Sequence, residues 1–205
     1  ALPLALVEQG GLPRDEHWWV YLGALLVGFF GMLPFIIYGE KRRQMKRVLL
    51  AAICLLLFCE VYFLLWGNSL WTLVLGFVLF FTAFNLLEAS LPSLVSKVAP
   101  AAGKGAAMGV YATSQFLGAA LGGIAGGWLF QQYGVQGVFL GCALMALLWL
   151  GFAVTMREPP YVTSLRLPLS AGALADAGLA ERLLAVPGVA DAVVVAEEAA
   201  LHVKV

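Results

Sequence analysis

The sequence predicts a multi-pass α-helical membrane bundle followed by a small α+β domain, and three observations carry this prediction. Hydrophobic residues make up 62% of the chain and charged residues 12%, with a mean hydropathy of +0.92; soluble domains run at roughly 45–50% and 25%. Five segments carrying at most one charge each are long enough to cross about 30 Å of hydrocarbon. After Pro159 and Pro160 the composition changes to that of a water-soluble module.

The same composition excludes other classes. The formal net charge is zero, and no basic run is interleaved with aromatic residues as a nucleic-acid surface requires, so nucleic acid is not an expected partner. Cys54, Cys59 and Cys142 lie inside apolar segments and read as free, small apolar residues, without disulfide or metal-ligand spacing. No nucleophile elbow, HExxH or P-loop is present, so neither an enzyme nor a cofactor is expected. His17 and His202 are isolated, in a loop and a strand, and neither is placed to be a ligand.

Residues 1–7 are apolar but too short to span and read as the end of a cut helix. The alternative, a signal peptide, lacks a basic flank before its apolar run. Glu8 to His17 is a polar loop broken by Gly10, Gly11 and Pro13. The first full span covers 18–38, with Trp18, Trp19 and Tyr21 at one interface and Tyr38 at the other; Pro34 bends it near its exit. The loop Gly39 to Arg47 carries five cations and one acid, which makes it cytoplasmic by the positive-inside rule. Spans follow over 48–66 and 70–95, joined at Gly67, Asn68 and Ser69, and Lys97 and Lys104 mark a second cytoplasmic loop. No charge occurs between Lys104 and Arg157, so 105–130 and 138–156 form a membrane hairpin turning at Gln131 to Gly134. Residues 1–158 are thus the transmembrane part, and 159–205 a cytoplasmic tail.

In the tail, Tyr161 to Leu167 alternates like a strand, Ala173 to Leu184 suits a helix, and Val189 to Val195 and Ala199 to Val205 are β-branched runs separated by Glu197 and Glu198. Strand, helix, strand, strand opens a ferredoxin-like βαββαβ module that stops before its second helix.

The stretch from Gly105 to Gly127 is too glycine-rich for a soluble helix, since each interior glycine costs about 1 kcal/mol in water. In lipid the helix persists and small residues let neighbouring backbones approach. Gly118, Gly122 and Gly126 form one stripe, and Gly109, Gly123 and Gly127 a second, which predicts packing on two sides. Ionisable and polar groups inside spans are functional candidates. Glu60 lies about 18 Å past Val48. Asn85 and Glu88 share a face at i, i+3 of the next span, followed by Ser90, Pro92 and Ser93. A carboxylate buried there can exchange a proton during transport. Gln115, in the glycine helix, is the best polar candidate for a cavity wall, or else makes an interhelical hydrogen bond.

The glycine spacing resembles the antiporter signature of the major facilitator superfamily. Gly109, Gly118, Gly122, Gly126 and Gly127 fall on its pattern, and Gly123 stands where its proline would be. The basic loop is similar to the superfamily's loop signature, with Glu40 as its acid and Arg42, Arg43, Lys46 and Arg47 as its cations. The resemblance implies that this loop latches neighbouring helices by charge pairs; serving topology alone is the other reading. The runs NLLEASLPSLVSKVAP and KGAAMGVYATSQFLGAALGGIAGGW, with PGVADAVVVAEEAALHVKV in the tail, resemble the YajR group of bacterial inner-membrane transporters.

That resemblance implies the C-terminal half of a twelve-helix transporter: the end of helix seven, helices eight to twelve, and part of a cytoplasmic tail. The implied function is secondary active transport by alternating access, as proton-driven export of a small molecule. The implied partners are that substrate, protons, the bilayer of the bacterial inner membrane and the N-terminal half. It also puts the helix of Glu60 at the lipid-facing periphery. Metal-carrying ferredoxin-like domains place CxxC after the first strand, where this chain has PLSAGA, so docking or regulation fits the tail better. A reading from another class, a membrane scaffold or sensor whose tail binds a partner, is separated from transport by the presence or absence of pH-gradient-dependent flux.

Overall fold

A computed structural model describes residues 2–67, 69–100, 103–159, 164–169, 178–189, 191–195 and 200–204. Its helices are α1 (Leu2–Glu8), α2 (His17–Lys41), α3 (Met45–Trp66), α4 (Leu70–Val98), α5 (Lys104–Thr155) and α6 (Leu179–Leu184). Its strands are β1 (Ser164–Pro168), β2 (Asp191–Val195) and β3 (Ala200–Lys204). The helices α2 to α5 are each long and apolar enough to cross a membrane.

α5 has 52 residues, which as one straight helix would run about 78 Å, far beyond a single crossing. It is interrupted at Gly134, whose φ of 66° and ψ of −163° leave the helical region for a conformation that glycine adopts without a Cβ penalty. The chain reverses there: a Cβ built on Gly141 would lie 2.6 Å from Leu129 Cδ1, whereas twelve residues of continuous helix would separate the two by about 18 Å. The expected turn over Gln131 to Gly134 is therefore a single-residue break at the end of that range.

The expected loops also shorten. Glu40 and Lys41 still belong to α2, and Lys46 and Arg47 already to α3, so the basic loop is three residues, 42–44, with Arg43 at a left-handed φ of 53°. Between α1 and α2 a 3-10 turn spans Arg14–Glu16. His17, expected in a loop, is instead the first residue of α2; it is buried, and its Nε2 lies 3.1 Å from the carbonyl of Leu12. α3 starts before its charged residues because Met45, ahead of Lys46 and Arg47, is already buried.

The chain divides into two compact units, 1–91 with 114–158, and 92–113 with 159–205. The core of the first is aromatic. Phe63 of α3 stacks on Phe139 of α5 at 5.1 Å and meets Phe77 of α4 at 6.2 Å, and Tyr21 of α2 points edge-on to Phe77 at 5.3 Å. Ala5 and Leu6 of α1 are fully buried in the same cluster. α2 and α4 touch backbone to backbone at Gly28, where a Cβ would lie 2.9 Å from the main chain of Phe81 and Thr82. Away from this core the helices expose large apolar side chains, such as Phe30 at 65% and Phe152 at 75%. That is the surface of a molecule whose solvent is lipid. Trp66 and Trp71 are exposed at the α3–α4 turn and Trp18 at the start of α2, positions that alternating crossings place at one interface.

In the second unit the strands run in the order β1-β3-β2, both pairs antiparallel, with Arg166 opposite His202 and His202 opposite Val193. β1 and β2 are therefore parallel to each other with β3 between them, and α6 packs on β2. Leu201 and Val203 of β3 are buried on one face. Tyr161 to Thr163, Ala173 to Ala177, Glu197, Glu198, Ala199 and Val205, which the expected elements included, lie outside the described residues, as do Asn68 and most of PLSAGA.

Candidate functional site

Glu88 stands on α4 about 15 Å before the helix end at Val98, and Gln115 on α5 at a similar depth from Lys104. The fold brings them together: Gln115 Nε2 donates to Glu88 Oε1 at 2.7 Å. Both side chains are exposed, and Asn85, half-buried, sits one turn before Glu88 on the same face. A carboxylate at this depth is costly against hydrocarbon and belongs on a face that meets protein or water.

Glu60 lies elsewhere. Within this chain it is 7% exposed, on the inward stripe of α3 that runs Met45, Val48, Ala52, Cys59 and Phe63. Helix periodicity, which puts Glu60 in line with Phe63 and Ile53, was the signal that marks it as inward. It lines a cavity of about 560 Å³ with Tyr21, Phe130, Cys142 and the glycines of α5. The sequence offered no sign that Tyr21 and Cys142 would join it, because three separate helices meet there.

The glycine stripes of α5 are open among the described residues. At Gly109, Gly118, Gly122, Gly123, Gly126 and Gly127 an added Cβ would meet nothing within 4 Å. The packing on two sides expected from their spacing is not supplied by the described residues of this chain. Gly122, Gly123, Gly126 and Gly127 line the Glu60 cavity without being packed against its other walls. Small-residue spacing reports that a backbone can be approached, not which segment approaches it.

In the basic turn, Glu40 ends α2, Arg42 and Arg43 form the bend, and Lys46 and Arg47 open α3. Lys46 Nζ donates to the carbonyl of Val154 at 3.0 Å, next to the end of α5, where a cation complements both the orphan carbonyls and the helix dipole. Arg47 Nη1 donates to Gln44 Oε1 at 3.2 Å. The turn thus ties α3 to the end of α5 by a charge-to-carbonyl bond. Among the described residues no group of acids, histidines and cysteines is arranged to hold a metal.

The sequence matches the family model described as Major Facilitator Superfamily over residues 1–188. It is 48% identical over 207 residues to the inner membrane transport protein YajR of Escherichia coli, an alignment that takes in all of this chain and 45% of that protein. An uncharacterized transporter of Buchnera aphidicola, BU466, is 37% identical over 54% of this chain and 28% of its own length. The multidrug resistance protein MdtH of Citrobacter koseri is 27% identical over 78% of this chain and 41% of its own length. The chain therefore spans less than half the length of these relatives, whose names describe transport or resistance and no enzymatic reaction. With a family match over most of its length and an open, glycine-lined helix beside a carboxylate–amide pair, this chain belongs to the major facilitator superfamily.

Proposed function

We propose that the chain forms the C-terminal half of a secondary active transporter that exports a small molecule in exchange for protons by alternating access. The observation that carries this reading is the Glu88–Gln115 pair, a carboxylate and an amide joined across two helices and exposed at membrane depth. Such a face calls for a water-filled pathway or a protein partner in place of lipid. The open glycine face of α5 supports the same arrangement, because it suits close approach by helices of an N-terminal half. Glu88, with Asn85 and Gln115, serves as the proton or substrate contact, and Glu60 as a second carboxylate within the bundle. In this reading α2, α3, α4 and the two arms of α5 make five crossings, with the basic turns and the tail on the cytoplasmic side of the bacterial inner membrane.

The tail is a ferredoxin-like module with a docking or regulatory role. Its support is the order β1-β3-β2, since parallel outer strands with a third inserted antiparallel between them are what a split βαβ unit produces. The test is flux. The full-length protein, reconstituted in liposomes with a trapped pH indicator and challenged with a panel of small organic compounds, releases protons when a transported compound is added. A gradient that no compound dissipates, together with tail-dependent capture of a cytosolic protein, would replace transport with the scaffold reading.

A further inference from the structure

The turn between α2 and α3 holds five cations within seven residues, Lys41 to Arg47, beside the single acid Glu40. Next to it the two helices leave an open cavity of about 520 Å³. Its floor is apolar, built by Pro34 and Phe35 of α2 and by Val48 and Ala51 of α3. Its rim is polar, formed by Tyr38, Gln44 and Arg47.

Local chemistry explains this shape. At the turn the helices are pinned together, because Gly39 sits so close to α3 that a Cβ there would lie 2.8 Å from Val48 Cγ2 and 3.0 Å from Met45 Sδ. One turn deeper, Pro34 has no N–H to bond back along its helix and presents a flat ring to the groove. At the rim Gln44 organises two donors: the Tyr38 hydroxyl and Arg47 Nη1 each donate to its Oε1 at 3.2 Å. A guanidinium has five N–H donors, and this bond uses one of them. Phe35 and Tyr38 remain about half exposed.

From Arg47 to Ala51 is about 6 Å along α3, so the wall passes from guanidinium to hydrocarbon in little more than one helical turn. A phospholipid has the same vertical order, a phosphodiester above and glycerol and acyl carbons below. We propose that this groove binds one anionic phospholipid, with its phosphodiester on Arg47 and an acyl chain along Pro34, Phe35 and Ala51. The apolar floor argues against a water-soluble phosphate, which would leave it uncovered. The surplus of cations argues against a zwitterionic headgroup, whose ammonium it would repel, and favours an anionic one. The inference is independent of the transport reading and requires only that α2 and α3 cross a bilayer.

The test is native mass spectrometry of the full-length protein in detergent, titrated with phosphatidylglycerol or phosphatidylcholine. The wild type retains one phosphatidylglycerol in preference to phosphatidylcholine. Arg47→Gln weakens that first adduct about fivefold, the loss of one cation contact. Ala51→Trp, which fills the floor and changes no charge, removes the preference as well, while Arg42→Gln, outside the groove, leaves it in place. Inorganic phosphate does not compete. Equal retention of the two lipids, equal losses in Arg42→Gln and Arg47→Gln, unaltered binding in Ala51→Trp, or displacement by phosphate would each overturn the proposal.

Discussion

Gln115 and Glu88, 27 residues apart in sequence, meet through a 2.7 Å hydrogen bond that joins the glycine-rich helix α5 to α4. Each residue lies in an apolar stretch, Glu88 about 15 Å from the end of α4 at Val98 and Gln115 about 17 Å from the start of α5 at Lys104 by the helical rise. The bond holds the carboxylate in a defined position on a face that the described residues leave exposed. In water it would contribute little, but at membrane depth the alternative partner is hydrocarbon.

Replacing Glu88 by Gln keeps the size of the side chain and its acceptor oxygen while removing the ability to release a proton. Export driven by a proton gradient is expected to fall to the level seen with a protonophore, with expression and thermal stability retained. Unaltered flux and pH dependence in this variant would take Glu88 out of the mechanism.

Among the described residues, an added Cβ on Gly122 or Gly23 would meet nothing within 4 Å, so neither glycine is needed for packing there. If the glycine face of α5 is approached by an N-terminal half, Gly122→Leu lowers flux and stability of the full-length protein while Gly23→Leu, on α2, does not. Equal tolerance of both substitutions would make the glycine face an ordinary lipid surface.

Phe139 is 1% exposed and stacks on Phe63, itself 2% exposed. Truncation to Ala leaves a cavity where α3, α4 and α5 converge, and is expected to cost about 3 kcal/mol, since the site is hemmed in by rings that cannot collapse into it. Thermal unfolding in detergent reads this directly, and a melting temperature equal to wild type would show that the aromatic cluster does not hold the helices together.

Lys46→Met removes the ammonium from the Val154 carbonyl and keeps the alkyl stem. The last turn of α5 should lose about 1 kcal/mol of local stability, which hydrogen exchange would register as roughly fivefold faster opening of that turn alone. Faster exchange along the whole helix would point to a larger role for the turn; no change would make the bond incidental.

Much of this architecture is legible in one dimension. Apolar runs bounded by charges mark α2, α3 and α4 to within a few residues, because hydrocarbon thickness sets their length and unsatisfied backbone in lipid forces them to be helical. The charge-free stretch after Lys104 announces a hairpin, and Gly134 closes it because the reversal needs a conformation that side chains resist. The strand–helix–strand–strand order of the tail is likewise read from β-branched runs, and the described strands fall inside or within one residue of the expected ones.

The candidate site was legible only in part. Glu88, Asn85 and Gln115 stand out because polar groups are rare in spans, but their meeting was not readable, since pairing depends on how two helices are rotated. The surroundings of Glu60 were hidden for the same reason: a resemblance speaks of where its helix lies, and only the rotation of α3 shows that this face of it turns inward within the chain. The glycine stripes show the same limit: an added Cβ there would meet no described residue within 4 Å, and spacing alone does not say which segment approaches them.

Composition and periodicity by themselves establish that the chain lives in a bilayer, which segments are long and apolar enough to cross it, and which polar residues they carry, because solvent chemistry acts on each segment separately. Which carboxylate faces inward, which one meets an amide, and which small-residue face stays open are settled by packing among helices. In lipid that packing draws on shape and hydrogen bonds, with no water to expel between helices, so it is written in the mutual fit of distant segments and not in any one of them.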